Sequence, residues 1–151
     1  MKKTLSNRTI YRMAEIIFNQ DGFRSNKNIK TRMAVRQALK VNCVEIKSKY
    51  ELINEMITEV IKEIQDEFVE SGKATSDEEF RISNKTYESE FTNEINQKIY
   101  ELELQTMDLE LKEIPQHEFN LYVERNDGEF TDAELDVLEM FIEDKEDGLN
   151  E

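Results

Sequence analysis

The chain has 151 residues, a formal net charge of −14, 38% hydrophobic and 36% charged residues, four glycines, one proline and one cysteine. That length fits one domain able to bury about two-thirds of its unfolded surface, and eight Phe and five Tyr supply core residues that a disordered chain lacks. One thiol excludes an internal disulfide and a cysteine-built zinc site, scattered glycines exclude a glycine-rich phosphate loop, and a reducing cytoplasm is the expected setting.

The start, Met1-Lys2-Lys3, is followed by Ser6, Asn7, Arg8 and Arg12. These interrupt the apolar run that a signal peptide requires, so none is expected. A first helix is predicted over 7–19, with Ser6 as N-cap and Ile10, Met13 and Ile17 at +3 and +4 spacing. It should stop at Asp21-Gly22. The dominant element is a long helix over 28–71. Its apolar positions, from Val35, Leu39, Cys43 and Ile46 through Tyr50, Ile53, Ile57 and Val60 to Ile64 and Phe68, step by three and four residues like a heptad seam. Leu52, Met56 and Ile61 widen that stripe, and Gly72 should end the helix. The seam could equally pair with a second copy of the chain to make a homodimer.

Residues 72–84 are polar and read as a loop. A third helix follows over 85–104, with Tyr87, Phe91, Ile95, Ile99 and Leu102 on one face, positioned to zip against the long helix as an antiparallel hairpin. The period then changes. Met107, Leu109 and Leu111 alternate with polar residues, and so do Phe119, Leu121 and Val123, which predicts a β-hairpin over 107–123. Extension of the third helix through 102–112 is the alternative. Asn126-Asp127-Gly128 reads as a turn, Thr131 to Glu134 as a capping box opening a last helix over 132–143, and 144–151 as an acidic tail. The expected fold is one mainly α (α+β) domain: a long helical hairpin with flanking short helices and a small β-hairpin. No stretch is long and apolar enough to span a membrane.

The charge is divided along the chain. Residues 1–50 carry 12 Lys+Arg and 3 Asp+Glu, and residues 51–151 carry 8 and 31. Six cations, Arg24, Lys27, Lys30, Arg32, Arg36 and Lys40, lie within seventeen residues and are candidates for phosphate contact. Ile10 to Phe23 also resembles the opening helix of tetracycline-repressor-type regulators, but Met33 to Gln37 lacks the glycine that the next turn of that module needs. The opposing candidates are Glu51, Glu55, Glu59, Glu63 and Glu67, spaced by four and therefore neighbours on one helical face. Such a row can meet a cationic protein surface. Its step of about 6 Å also allows it to act as an acidic mimic of DNA phosphates.

Catalytic signals are missing. Asp127 to Glu134 resembles half of a calcium loop, but Val123 and Arg125 occupy positions where oxygen ligands belong. His117 is the only histidine, and Cys43 lies on the apolar seam, the usual place of a core thiol. A non-enzyme with no cofactor and no metal is expected.

Four features in order, Leu5 to Ile10, Lys30 to Met33, Tyr87 to Phe91 and Phe130 to Leu135, resemble a family of small acidic proteins encoded by phages and prophages of Gram-positive bacteria. The resemblance implies a cytoplasmic phage-type accessory protein without enzyme activity. Such a protein would bind and modulate or inhibit a host protein, for example a defence protein, through a basic surface on that partner. Nucleic-acid binding through the basic segment 24–40 is the alternative.

Overall fold

A computed structural model describes residues 1–18 and 32–142. In chain order the elements are β1 (Lys2–Ser6), α1 (Asn7–Phe18), α2 (Met33–Glu70), β2 (Ala74–Thr75), β3 (Arg81–Ile82), α3 (Lys85–Leu104), β4 (Thr106–Glu110), α4 (Gln116–Arg125) and α5 (Asp132–Glu139). The fold is mainly helical with a little β-structure.

α2 is the axis of the molecule. Its 38 residues contain no glycine or proline and extend about 57 Å. The seam faces inward as its spacing requires: Val35, Leu39, Cys43, Ile46, Ile53, Ile64 and Phe68 are all buried. The seam is therefore occupied by the chain's own core. Leu52 turns outward and is 42% exposed, while Met56 and Ile61 are half-buried. The helix opens at Met33 rather than at 28, because Arg32 is extended with ψ 158°; residues 28–31 lie outside the described residues. At the other end Gly72 takes φ 78°. Its N–H donates to Val69 O at 3.1 Å, and Lys73 N–H reaches Phe68 O at 2.9 Å. That pair of bonds is a Schellman stop, and it requires the left-handed glycine.

The two halves of α2 serve two cores. The N-terminal half packs against Ile10, Met13, Ala14 and Ile17 of α1, Leu109 of β4, Phe119 and Tyr122 of α4, Leu138 of α5, and Phe141. The C-terminal half joins α3 in an antiparallel helical hairpin. Phe68 meets Phe91 edge-on at 5.3 Å, and Phe80 lies 5.1 Å from Phe91. Residues 72–84 do not form a plain loop: β2 and β3 pair there as a short antiparallel ribbon, Ala74 opposite Ile82, which carries Ala74 and Ile82 into this second cluster.

The β-hairpin expected over 107–123 does not form. β4 is a strand and buries Leu109, but its partner is β1, antiparallel with Lys2 opposite Glu110 and Ser6 opposite Thr106. The N-terminus closes this ladder: Met1 N donates to Leu111 O at 2.9 Å, and Leu111 N–H donates to Met1 O at 2.8 Å. Residues 116–125 are helical. Pro115 at the N-cap holds φ −58°, an entry that favours a helix. Phe119, Tyr122 and Val123 then share one face at +3 and +4, a helical set hidden within the alternation of Phe119, Leu121 and Val123. The last helix opens as expected but ends at Glu139, and Ile142 makes a bridge to Ile114. Residues 143–151 lie outside the described residues.

Two predictions arise here. Thr131 Oγ1 accepts from Glu134 N at 3.1 Å, and Glu134 Oε1 accepts from Thr131 N at 3.0 Å. Thr131→Ala should remove about 1 kcal/mol and lower Tm by roughly 2–4 °C; an unchanged Tm would contradict the capping role. In the β1–β4 ladder, hydrogen bonds from Thr4 and then Lys2 hold the Asp108 carboxylate below its usual value of 3.8. A depressed folded-state pKa gives stability that is complete above 3.8 and lost as pH falls through the folded value. The acid-induced fall in unfolding midpoint should therefore be shallower in Asp108→Asn, by a small margin because the pair is exposed. Identical acid profiles would contradict that role of Asp108.

Candidate functional site

All five glutamates of the predicted row, Glu51, Glu55, Glu59, Glu63 and Glu67, are exposed on α2. Among the described residues none of their side chains takes part in an ion pair or a hydrogen bond. The row spans about 24 Å along a helix whose other side is fixed by both cores. Like charges at i,i+4 cost a few tenths of a kcal/mol per pair, and no cation among the described residues forms an ion pair with them. Cations that do pair choose other acids: Lys62 with Asp66 at 3.4 Å, Lys73 with Glu90 at 2.9 Å and Lys98 with Glu101 at 3.9 Å.

The phosphate-contact candidates are not gathered in the same way. Arg24, Lys27 and Lys30 lie outside the described residues. Arg32 is held by Glu118 of α4 at 2.8 Å. Arg36 and Lys40 are exposed one turn apart on α2. Elsewhere in the basic third, Lys2 pairs with Asp108 at 3.2 Å and Arg8 with Glu103 at 2.8 Å. Glu103 at the end of α3 thus holds Arg8 of α1, and Glu118 of α4 holds Arg32 just before α2.

A cleft of about 420 Å³ opens where α1, α2 and α3 meet, lined among others by Asn7, Arg8, Tyr11, Ile53, Ile57 and Leu102. Asn7 fastens the junction: its backbone N–H donates to Gln105 O and its Nδ2 to Leu102 O, both at 2.8 Å. Arg8 lies 5.5 Å above the Tyr100 ring while it holds Glu103. The Tyr11 and Tyr50 rings lie 4.8 Å apart. Their hydrogen bond, followed by burial, raises the Tyr11 pKa above 10.0.

Among the described residues no three His, Cys, Asp or Glu side chains converge on a metal position. Glu134, the would-be calcium ligand, is committed to its capping box, and Gly128 provides the turn before it with φ 79°. His117 is exposed in the first turn of α4. Cys43 is buried in the seam. No helix among the described residues is long and apolar enough to cross a membrane.

Sequence reasoning missed one surface. Met33, Val41, Val44 and Leu52 are exposed on α2, at 72%, 47%, 63% and 42%. The signal was the pair Val41 and Val44, which fall outside the inward seam. No family model, curated protein or solved structure matches this chain.

Proposed function

We propose that this chain is a non-enzymatic binding protein, an acidic phage-type accessory factor that docks on a host protein through α2 and modulates or inhibits it. The observation that carries this reading is the row from Glu51 to Glu67, exposed and without ion pairs among the described residues, on one long helix. Such a row creates a negative potential along the helix that attracts a cationic surface. The complementary surface is cationic. A DNA-binding groove, which the row would enter as a phosphate mimic, is one such surface, and a defence protein is a fitting bearer. The phage origin rests on the resemblance of layout noted in the sequence.

Direct nucleic-acid binding is less well supported, because Lys2, Arg8 and Arg32 already hold carboxylates. No salt-sensitive gel shift of duplex DNA is therefore expected. Immobilised on a resin, the chain should retain one stoichiometric protein from the lysate of a Gram-positive bacterium, released as salt rises well above about 0.1 M. Retention of nucleic acid alone would overturn the proposal.

A further inference from the structure

Apolar packing is unevenly divided along α2. Among the described residues eighteen buried side chains form the core around its N-terminal half, the body of the molecule. Three, Ile64, Phe68 and Ala74, form the cluster around its other end. There the C-terminal half of α2, the β2–β3 ribbon and α3 make a distal arm. α3 contributes one buried residue in twenty, Leu102, and Leu102 lies at the body end of the helix. Further out, Tyr87, Phe91 and Ile95 are only half-buried against the small cluster. Polar contacts are divided at the same point. Asn7 donates to Leu102 O and Gln105 O, both at 2.8 Å, and Arg8 holds Glu103 at 2.8 Å. Beyond that clamp one ion pair, Lys73 with Glu90 at 2.9 Å, ties α3 to the rest of the arm among the described residues.

The charges of the arm oppose its closure. Residues 51–70 of α2 carry seven acids and one lysine, and α3 carries five acids and two lysines. Packed helices have axes about 8–10 Å apart. At 0.01 M salt the screening length is about 30 Å, so two acidic helices at that separation repel; at 1 M it is about 3 Å and the repulsion is screened. The body is built the other way. There opposite charges meet across elements, Lys2 with Asp108, Arg8 with Glu103 and Arg32 with Glu118.

We infer that the distal arm, residues 60–98, opens and closes as a unit while the body stays folded, and that repulsion between its two helices sets how often it opens. Local opening is cheapest where least apolar surface is buried, and in this fold that is the arm. The Asn7 and Arg8 clamp marks the inner limit of the motion, so Leu102 stays with the body. Opening uncovers Val60, Ile64 and Phe68, which stand next in sequence to Glu59, Glu63 and Glu67 of the acidic row. The arm is therefore a conformational device that exposes an apolar stripe in response to its ionic surroundings. No partner is needed for this motion.

Native-state amide hydrogen exchange of the full chain, at about 0.01 M and about 1 M NaCl, tests this. At low salt the amides of 61–69 and 89–98, corrected for their intrinsic rates, should exchange roughly a hundredfold or more faster than those of 36–50. High salt should slow the arm by roughly tenfold relative to the body. Phe91→Ala, which removes the ring that meets Phe68 and Phe80, should speed exchange in the arm by roughly tenfold or more and leave 36–50 unchanged. Equal protection of arm and body at low salt would overturn the inference. So would a difference that high salt leaves unaltered, and so would Phe91→Ala speeding both regions alike.

Discussion

Asn42→Ala is expected to lower the unfolding free energy by about 2–4 kcal/mol, which corresponds to a fall in Tm of roughly 5–12 °C for a domain of this size. Asn42 sits in the middle of the buried face of α2 and is fully buried. Its Nδ2 donates to Lys112 O at 2.9 Å, and its Oδ1 accepts from Lys112 N–H at 2.6 Å. One amide therefore satisfies both backbone groups of the residue where the chain leaves β4. Alanine would leave both without a partner, and an unmade buried hydrogen bond costs far more than a made one contributes. Asn42→Asp keeps the acceptor but sets a buried negative charge against the Lys112 carbonyl, so its loss should equal or exceed that of alanine at neutral pH. Chemical denaturation of both variants checks this, and a change below about 1 kcal/mol in either would contradict the account.

Replacing Glu51, Glu55, Glu59, Glu63 and Glu67 together by Gln should move stability and binding in opposite directions. The four i,i+4 repulsions vanish while the helix propensity barely changes, so the fold should gain up to about 1–2 kcal/mol. Affinity for a cationic partner should fall by roughly a hundredfold, about 3 kcal/mol, with most of the salt dependence lost. A row that served only the fold would not be more stable without its charges. A gain in Tm combined with a loss of binding is therefore the signature of a surface kept for function.

The long elements were legible because their pattern repeats. Of ten seam positions from Val35 to Phe68 seven are buried and Tyr50, Ile57 and Val60 are half-buried, and Phe91 falls where the antiparallel hairpin needs it. The capping box at Thr131 and the stop at Gly72 were legible because one residue type satisfies each geometry. What failed was short and long-range. Lys2 to Ser6 is five residues with two lysines, too brief to declare itself a strand, and its pairing with β4 spans about a hundred residues of chain. Residues 119–123 fit both periods, and only the entry at Pro115 and the core space beside α2 choose the helix. At the candidate site the glutamate row was visible from spacing alone. The exposed apolar residues of α2 were not, since exposure of Val41 and Val44 depends on which face α1, β4 and α4 leave uncovered.

The central claim is that the outer face of α2 docks a cationic protein. Its most direct test is parallel capture from a Gram-positive lysate with the wild-type chain and the five-glutamine variant, both shown to be folded by thermal unfolding. The account predicts one stoichiometric protein on the wild-type resin and its loss from the variant. Equal capture of that protein by both chains would contradict it.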